Sequence, residues 1–413
     1  AAEVIRKLDN SAKIIMVSDE NYPIYSRCLL SYYLAGDINE EKLKYRQEDF
    51  FEQNFIEPIL GKKVLRVEPH KKFVVLEDGS TVEYDKLLIA TGSRSKMENI
   101  PGKEKYGVFG LRNISDAKQI DTRLGKTKTA VMLGGGLIGL KTAYAVHKRG
   151  VKVIVVVKSP HILSQIMDKE AAEIVQKHIS QQGIEIQTNL AAKEILGSHQ
   201  EVEGVKLEND TVIECELIIV GKGVQPNIEL AKDTEIKTNY GIVVNEYLQT
   251  SIDDIYAAGD VAECKDLISG NYTINALWPN AVLQGKIAGY NMVLGNTKKY
   301  DGSLAMNSVD FFNLPVITCG VTKRNENIEV LVTKNERKCI YKKFLIKNGC
   351  LIGFVLIGDI QQAGVYNSLV RKKVDITKIK EYLTSPKFDF AKILPLVKDN
   401  KDKFFEHEYS EIR

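Results

Sequence analysis

Val131-Met132-Leu133-Gly134-Gly135-Gly136-Leu137-Ile138-Gly139-Leu140-Lys141 is the stretch that decides the fold. An apolar, strand-like run begins at Thr129 and meets G-x-G-x-x-G at Gly134, Gly136 and Gly139. A helix-like stretch continues through Lys141, Thr142, Ala143 and Val146, and a second apolar strand occupies residues 151–157. Strand, glycine turn, helix and strand within about 30 residues make the unit that binds a dinucleotide. Gly134 allows the tight turn, Gly136 lets the backbone approach a pyrophosphate, and Gly139 lets the helix pack close to the strand. The anion then sits at the helix N-terminus, on the N–H groups around Leu137 and Ile138, where the helix dipole favours negative charge.

The chain of 413 residues is long enough for two or three domains, each with its own core. Its 44% hydrophobic and 27% charged content is that of a soluble globular protein. A net charge of +3 argues against a general nucleic-acid binder. No apolar run approaches the ~18 residues of a membrane span, and the expectation is a chain without a signal peptide. The six cysteines (28, 215, 264, 319, 339 and 350) form no C-x-x-C pair, and the six histidines form no metal-ligand spacing. No metal site is expected, and the cysteine usage suits a reducing cytoplasm.

Around the opening stretch, residues 1–8 read as the end of an amphipathic helix and residues 13–17 as a short strand closed by Asp19-Glu20. A helix entering a strand that ends in acid is the second half of another nucleotide-binding unit. Its first strand and glycine turn are not in the sequence, and the expectation is that roughly fifteen residues have been trimmed. Residues 22–60 read as helices and loops, and residues 63–84 as a β-meander around Glu77-Asp78-Gly79-Ser80. A buried strand at 85–90 ends in Thr91-Gly92, and a helix over 113–125 takes Ser115-Asp116 as its cap. Within the second nucleotide unit, a helix covers 170–182 and a strand at 216–220 stops at Gly221-Lys222-Gly223. A strand ending in Gly259-Asp260 can place a carboxylate beside ligand hydroxyls. Residues 280–294 then form a helix with Pro279 in its first turn. From residue 307 the pattern changes to a run of strands and one helix, a third α+β unit. The last ~30 residues are charged, carry Phe388, Phe390, Phe404 and Phe405, and read as a flexible or docking tail.

Six strings occur in order: SDENYPIYSR (18–27), YDKLLIATGS (84–93), VMLGGGLIGLK (131–141), GVQPN (223–227), IYAAGDVAE (255–263) and WPNAVLQGKIAGYNM (278–292). Together they resemble the FAD-dependent pyridine-nucleotide oxidoreductases, the family of NADH:rubredoxin reductases, NADH oxidases, the flavin module of nitrite reductase and apoptosis-inducing factor. The resemblance covers about residues 1–370. It implies an α/β fold with two Rossmann-like FAD- and NAD(P)-binding domains, one inserted in the other, plus a C-terminal α+β interface domain. The FAD domain would be 1–113 and 246–306, the NAD(P)H domain 114–245 and the third domain 307–380, with 381–413 a charged extension. The third domain often makes a homodimer in such relatives. By position, the resemblance assigns Asp19 or Glu20 to the FAD ribose and Arg27 to the FAD phosphates or flavin. It places Val64, Thr91, Gly92 and Arg112 along the FAD, Gly259 and Asp260 at the ribityl chain or pyrophosphate, and Trp278 beside the isoalloxazine. Gly223 falls in the matching GVQPN string. The implied activity is flavoprotein electron transfer: hydride from NAD(P)H to FAD, then electrons to a small redox protein such as rubredoxin or ferredoxin.

Three positions depart from the family pattern. Relatives commonly carry an acid where Lys141 stands and often a lysine where Tyr32 stands, as an ion pair beside the flavin. Lys141 is therefore expected to supply the cation near the nicotinamide–flavin contact. The strand at 151–157 ends in Val157-Lys158 instead of an acid, which suits the 2′-phosphate of NADPH without excluding NADH. Cys28 aligns with the single redox cysteine of NADH oxidases, peroxidases and CoA-disulfide reductases, and a helix N-terminus with Arg27 would lower its pKa. That alignment gives an alternative function through Cys28. A second alternative is a non-catalytic nucleotide-binding redox sensor. The basic cluster Arg371-Lys372-Lys373 with Lys378 and Lys380 is a candidate dock for an acidic redox protein.

Overall fold

The computed structural model describes residues 1–385 and 388–404. The glycine-turn stretch builds a five-stranded parallel sheet, in the order Glu185–Thr188, Lys152–Val157, Thr129–Leu133, Leu217–Val220, Val108–Phe109. After exposed Lys152, the second strand of the turn unit is apolar from Val153 to Val157 because both faces are covered. Val153, Val155 and Val157 enter one core and Ile154 and Val156 another, the period of two that a strand imposes.

The first unit is built from smaller pieces. Ile14–Ser18 pairs in parallel with Ile56–Leu60, and Ile255–Ala257 with Leu87–Ile89. The meander is formed by Val64–Glu68, Phe73–Leu76 and Thr81–Glu83. The strand at 56–60 corrects the reading of 22–60 as helices and loops. Glu57 and Pro58 break its apolar pattern, and an edge strand tolerates a proline that a central one would not. Helix Ala2–Leu8 packs against helix Trp278–Leu294 so closely that a Cβ on Gly289 would lie 2.8 Å from the Ala1 carbonyl oxygen.

The cores divide the chain differently from the sequence reading at two places. Val108–Phe109 belongs to the nucleotide sheet, not the first unit. Ala231, Ile236 and Ile242 belong to the core of the first unit, so the chain re-enters that unit before residue 246. Helix Ile114–Leu124 has Asn113 as its N-cap, and of the expected pair Ser115-Asp116 it is Asp116 that completes the capping box. Asn113 Oδ1 accepts from Asp116 N at 2.8 Å, while the Asp116 carboxylate accepts from Asn113 N at 3.1 Å.

The third unit is an antiparallel sheet of five strands, ordered Met306–Phe311, Leu314–Gly320, Cys350–Ile357, Ile340–Lys347, Glu329–Asn335. Along its central strand, Val355 and Ile357 face the nucleotide unit, while Phe354 and Leu356 face helix Ala363–Lys372. The C-terminal extension is not a free tail as far as residue 404. Phe388 stacks on Tyr366 with ring centroids 5.1 Å apart, and Leu383, Ile393 and Leu396 are buried in the same core. The apolar side of helix Phe390–Asp399 supplies the reason, since burying each such side chain contributes roughly 1.5–3 kcal/mol. Phe404 packs at the edge of that core, and Phe405 lies outside the described residues. No described helix is long and apolar enough to cross a membrane.

Candidate functional site

Two cradles lie on either side of a crossing between strands Ser93–Ser95 and Val224–Pro226, which pair antiparallel. The crossing brings together motifs more than 130 residues apart. Thr91 Oγ1 donates to the Asn227 carbonyl at 2.7 Å, Asn227 Nδ2 donates back to the Thr91 carbonyl at 2.9 Å, and Asn227 N reaches the Gly92 carbonyl at 3.0 Å. Gly92 and Gly223 have φ of +66° and +88°, a region glycine enters without steric penalty.

On the flavin side, strand Ile14–Ser18 delivers Asp19 to the surface and Glu20 to a network. The Glu20 carboxylate accepts from the Arg27 guanidinium and, at 2.6 Å, from the Tyr25 hydroxyl. That hydroxyl also accepts from Ile114 N at 3.1 Å. Arg27 Nη1 reaches the Arg112 carbonyl at 3.3 Å. Burial and the hydrogen bond to Glu20 push the Tyr25 hydroxyl well above its ordinary range. Glu20 therefore holds Arg27, while Asp19 is exposed.

Arg112 Nη2 donates to Asp260 Oδ2 at 2.5 Å, Arg112 Nε to the Ser93 carbonyl at 2.9 Å, and Ser93 Oγ to the same Asp260 oxygen at 2.9 Å. Asp116 fixes Arg112 from behind by accepting from its backbone N at 2.8 Å. Gly259 N donates to buried Gln284 at 2.7 Å, which sets the turn that carries Asp260. Trp278 opens its helix, with Pro279 next to it, and meets Tyr45 edge-on at 5.0 Å, while the Arg46 guanidinium lies 4.0 Å over the Tyr45 ring. Val64 starts the meander strand and is half-buried against the flavin-side core.

Cys28 joins this group, and its electrostatics differ from the sequence expectation. Its own surface is exposed, yet the surrounding protein raises the thiol above its ordinary range. The Arg112 guanidinium pulls it down and the Asp260 carboxylate pushes it up. A lowered pKa was expected; burial outweighs the nearby cation. Alkylation of Cys28 by iodoacetamide in FAD-free protein should be slow near about pH 7 and accelerate only above about pH 9, because a raised pKa leaves little thiolate at neutrality. Mass-resolved labelling across pH, with Cys28→Ser to identify the site, checks this. A rate already at its plateau by about pH 8 would contradict it.

On the nucleotide side, the glycines divide the work. A Cβ on Gly134 would lie 2.5 Å from the Gly221 carbonyl oxygen, and one on Gly139 would lie 2.3 Å from the Gly134 carbonyl oxygen. Those two glycines, and Gly221 with them, are required by the fold itself. A Cβ on Gly136 would meet nothing nearer than 3.8 Å. Its glycine is demanded by no protein neighbour, which fits a backbone approached by a pyrophosphate. Gly136 is the N-cap of helix Leu137–Lys148, no side chain caps that end, and Ile138 is exposed there. Val157 is buried and Lys158 exposed at the end of its strand, next to Ser159, whose hydroxyl accepts from Ser164 Oγ at 2.9 Å.

Lys141 lies in the glycine-turn helix, two residues after Gly139. Its ammonium lies 4.4 Å from the Tyr32 ring centroid and 5.0 Å from that of Tyr144, and donates to the Asp310 carbonyl at 3.2 Å. The two departures from the family pattern thus meet each other, as a cation over a ring. Such a contact is worth roughly 0.5–2 kcal/mol, depending on desolvation. The basic cluster of the third unit is partly neutralised: Lys378 pairs with Asp399 at 3.3 Å and Lys380 with Glu329 at 2.9 Å.

Tyr25, Tyr45, Ser93, Gln284 and Asn227 were not singled out from the sequence. Tyr25, Ser93, Asn227 and Gln284 lie inside the quoted strings, so a signal existed; Tyr45 gave none.

Comparison with known proteins follows the same division. Residues 1–285 match the family model described as pyridine nucleotide-disulphide oxidoreductase, and residues 306–374 the one described as rubredoxin NAD+ reductase C-terminal domain. The chain is 30% identical over 376 residues to a nitrite reductase (NAD(P)H) of Bacillus subtilis, covering 91% of this chain and 46% of that protein. It therefore spans about half the length of that relative. It is 27% identical over 375 residues to the NADH-rubredoxin oxidoreductase of Clostridium acetobutylicum, covering 90% of each. Among solved structures, the ferredoxin reductase for the CYP199A2 system of Rhodopseudomonas palustris superposes with a TM-score of 0.86 at 26% identity, covering 95% of each chain.

Proposed function

Because the chain belongs to the pyridine nucleotide-disulphide oxidoreductase family, we propose that it is an FAD-dependent NAD(P)H oxidoreductase that passes electrons to a small redox protein such as rubredoxin or ferredoxin. The observation that carries this reading is the crossing of Ser93–Ser95 with Val224–Pro226, which sets a nucleotide cradle beside a second one of different chemistry. FAD, when bound, accepts hydride from a nicotinamide and releases electrons singly or in pairs. Asp19 would take its ribose hydroxyls. Arg27 and Arg112 would meet its phosphates, with Asp260 and Ser93 holding Arg112 in place. Trp278 and Tyr45 would wall the flavin end and limit water. The turn at Gly136 would seat the pyrophosphate of the pyridine nucleotide against the N-terminus of its helix.

The rubredoxin- and ferredoxin-linked relatives support the acceptor class, since they match this chain nearly end to end. Lys158, exposed where an acid would select NADH, supports NADPH as a donor alongside NADH. An oxidase, peroxidase or disulfide-reductase route would instead run through Cys28, which is exposed and within electrostatic reach of Arg112 and Asp260. The sensor reading finds no support in the relatives named above, each of which is a reductase. All six cysteines are unpaired, which supports a reducing, cytoplasmic setting. Any homodimer would use a face of the third unit other than the one covered by Phe388, Ile393 and Leu396.

An anaerobic acceptor screen tests the reading. The visible absorbance of bound flavin should bleach with NADH and with NADPH. Reoxidation should be faster with rubredoxin or ferredoxin than with oxygen, peroxide or CoA disulfide. Cys28→Ser should keep turnover within about twofold. Absence of bleaching, or reoxidation by a disulfide alone that disappears in Cys28→Ser, would overturn the proposal. A large preference for NADH in kcat/KM would remove NADPH from it.

A further inference from the structure

Lys141 lies one turn into the helix whose N-terminus is the glycine turn. Tyr32, under its ammonium, lies in helix Leu30–Leu34, one turn beyond Cys28. The same ammonium reaches the Asp310 carbonyl of the third unit at 3.2 Å. Asp310 begins a hairpin tip in which Phe312 and Asn313 take φ of +53° and +65°. The Asp310 side chain holds that tip by accepting from Asn313 N at 2.9 Å. The Phe312 ring packs edge-on against Tyr144 at 4.8 Å, and the Phe312 carbonyl lies 3.1 Å from His178 Nε2 on helix Lys169–Gln181. One ammonium therefore joins the glycine-turn helix, the helix that follows Cys28 and the third unit.

We propose that Lys141 is a positioning residue for hydride transfer: through Tyr32, Tyr144 and Asp310 it fixes the glycine-turn helix relative to the helix that follows Cys28. This rests on the function proposed above. Hydride transfer requires donor and acceptor atoms held at roughly 3–3.5 Å, and a small misplacement from a distance is felt in the rate. A neutral side chain of the same length offers neither ring an attractive charge, so the attraction belongs to the cation. The ring of Tyr32, not its hydroxyl, is the partner, so phenylalanine can replace it and leucine cannot.

The test is anaerobic stopped-flow reduction of the FAD-loaded protein with rising NAD(P)H, which separates the limiting bleaching rate from the apparent Kd. Lys141→Met and Tyr32→Leu should each slow the limiting rate about tenfold while Kd moves less than about twofold. Tyr32→Phe should restore the wild-type rate. The double variant Lys141→Met with Tyr32→Leu should be no slower than Lys141→Met alone, because the lysine variant already removes the contact to Tyr32. An unchanged limiting rate in Lys141→Met, even with a lowered Tm, overturns the proposal, and so do single effects that multiply in the double variant. If wild-type flavin is bleached by neither nucleotide, the proposed function fails first and this inference falls with it.

Discussion

Gly136→Ala should fold normally, keep its flavin and lose kcat/KM for NAD(P)H by about 100-fold, the scale of effect that a displacement of about 1 Å at a reacting centre produces. The backbone of Gly136 is ordinary, with φ of −81°, so alanine imposes no strain there. Its Cβ would find the Gly221 carbonyl oxygen at 3.8 Å and no nearer protein atom. The methyl group therefore enters open space, where the proposed function would seat the pyrophosphate. Gly139→Ala is the contrasting control. Its Cβ would sit 2.3 Å from the Gly134 carbonyl oxygen, so that variant should be destabilised outright. Flavin absorbance and thermal melting establish the folded state, and ferricyanide reduction gives kcat/KM. Wild-type kcat/KM in a folded Gly136→Ala protein would show that no pyrophosphate approaches this turn.

Asp260→Ala should yield protein that loses its FAD during gel filtration. The Asp260 side chain is 12% exposed and accepts from both Arg112 Nη2 and Ser93 Oγ. Removing it frees a guanidinium that the cleft holds in one orientation. A hydrogen bond to a charged group is worth about 1.5–3 kcal/mol, which corresponds to a loss in FAD affinity of roughly 10- to 100-fold. Flavin content per chain and fluorescence titration of the FAD-free protein measure it. A second readout has a defined sign. The Asp260 carboxylate raises the Cys28 thiol, so its removal should lower that pKa and speed alkylation near neutral pH. Retention of one flavin per chain would remove Asp260 from the cradle.

Periodic and local features were legible in the sequence. The glycine turn, the buried strand at 152–157 and the helix at 278–294 each announce themselves within one short window. Strand Ile56–Leu60 did not, because Glu57 and Pro58 disguise an edge strand whose partner lies 42 residues away. The C-terminal segment was misjudged for a different reason. Its charge suggested solvent, while its stacking partner, Tyr366, belongs to another helix and gives no local signal. Among site residues, identities were readable but pairings were not. Arg112 and Asp260 were both named, yet their contact spans 148 residues. The direction of the Cys28 shift was misread because Arg27 is its neighbour in the chain while burial is decided by the whole cleft.

The chain leaves the flavin side and returns to it through a single doorway, where Ser95 faces Val224 and Ser93 faces Pro226. A segment whose two ends lie side by side can be exchanged as a cassette, since a foreign insert need only match one narrow gap. Donor preference could therefore drift, or be transplanted, with little rebuilding elsewhere. The cassette would carry one obligation: Arg112 travels with it, while Asp260 and Cys28 stay behind. A graft that brought no arginine at that position would arrive with its nucleotide turn intact and leave the flavin side without its clasp.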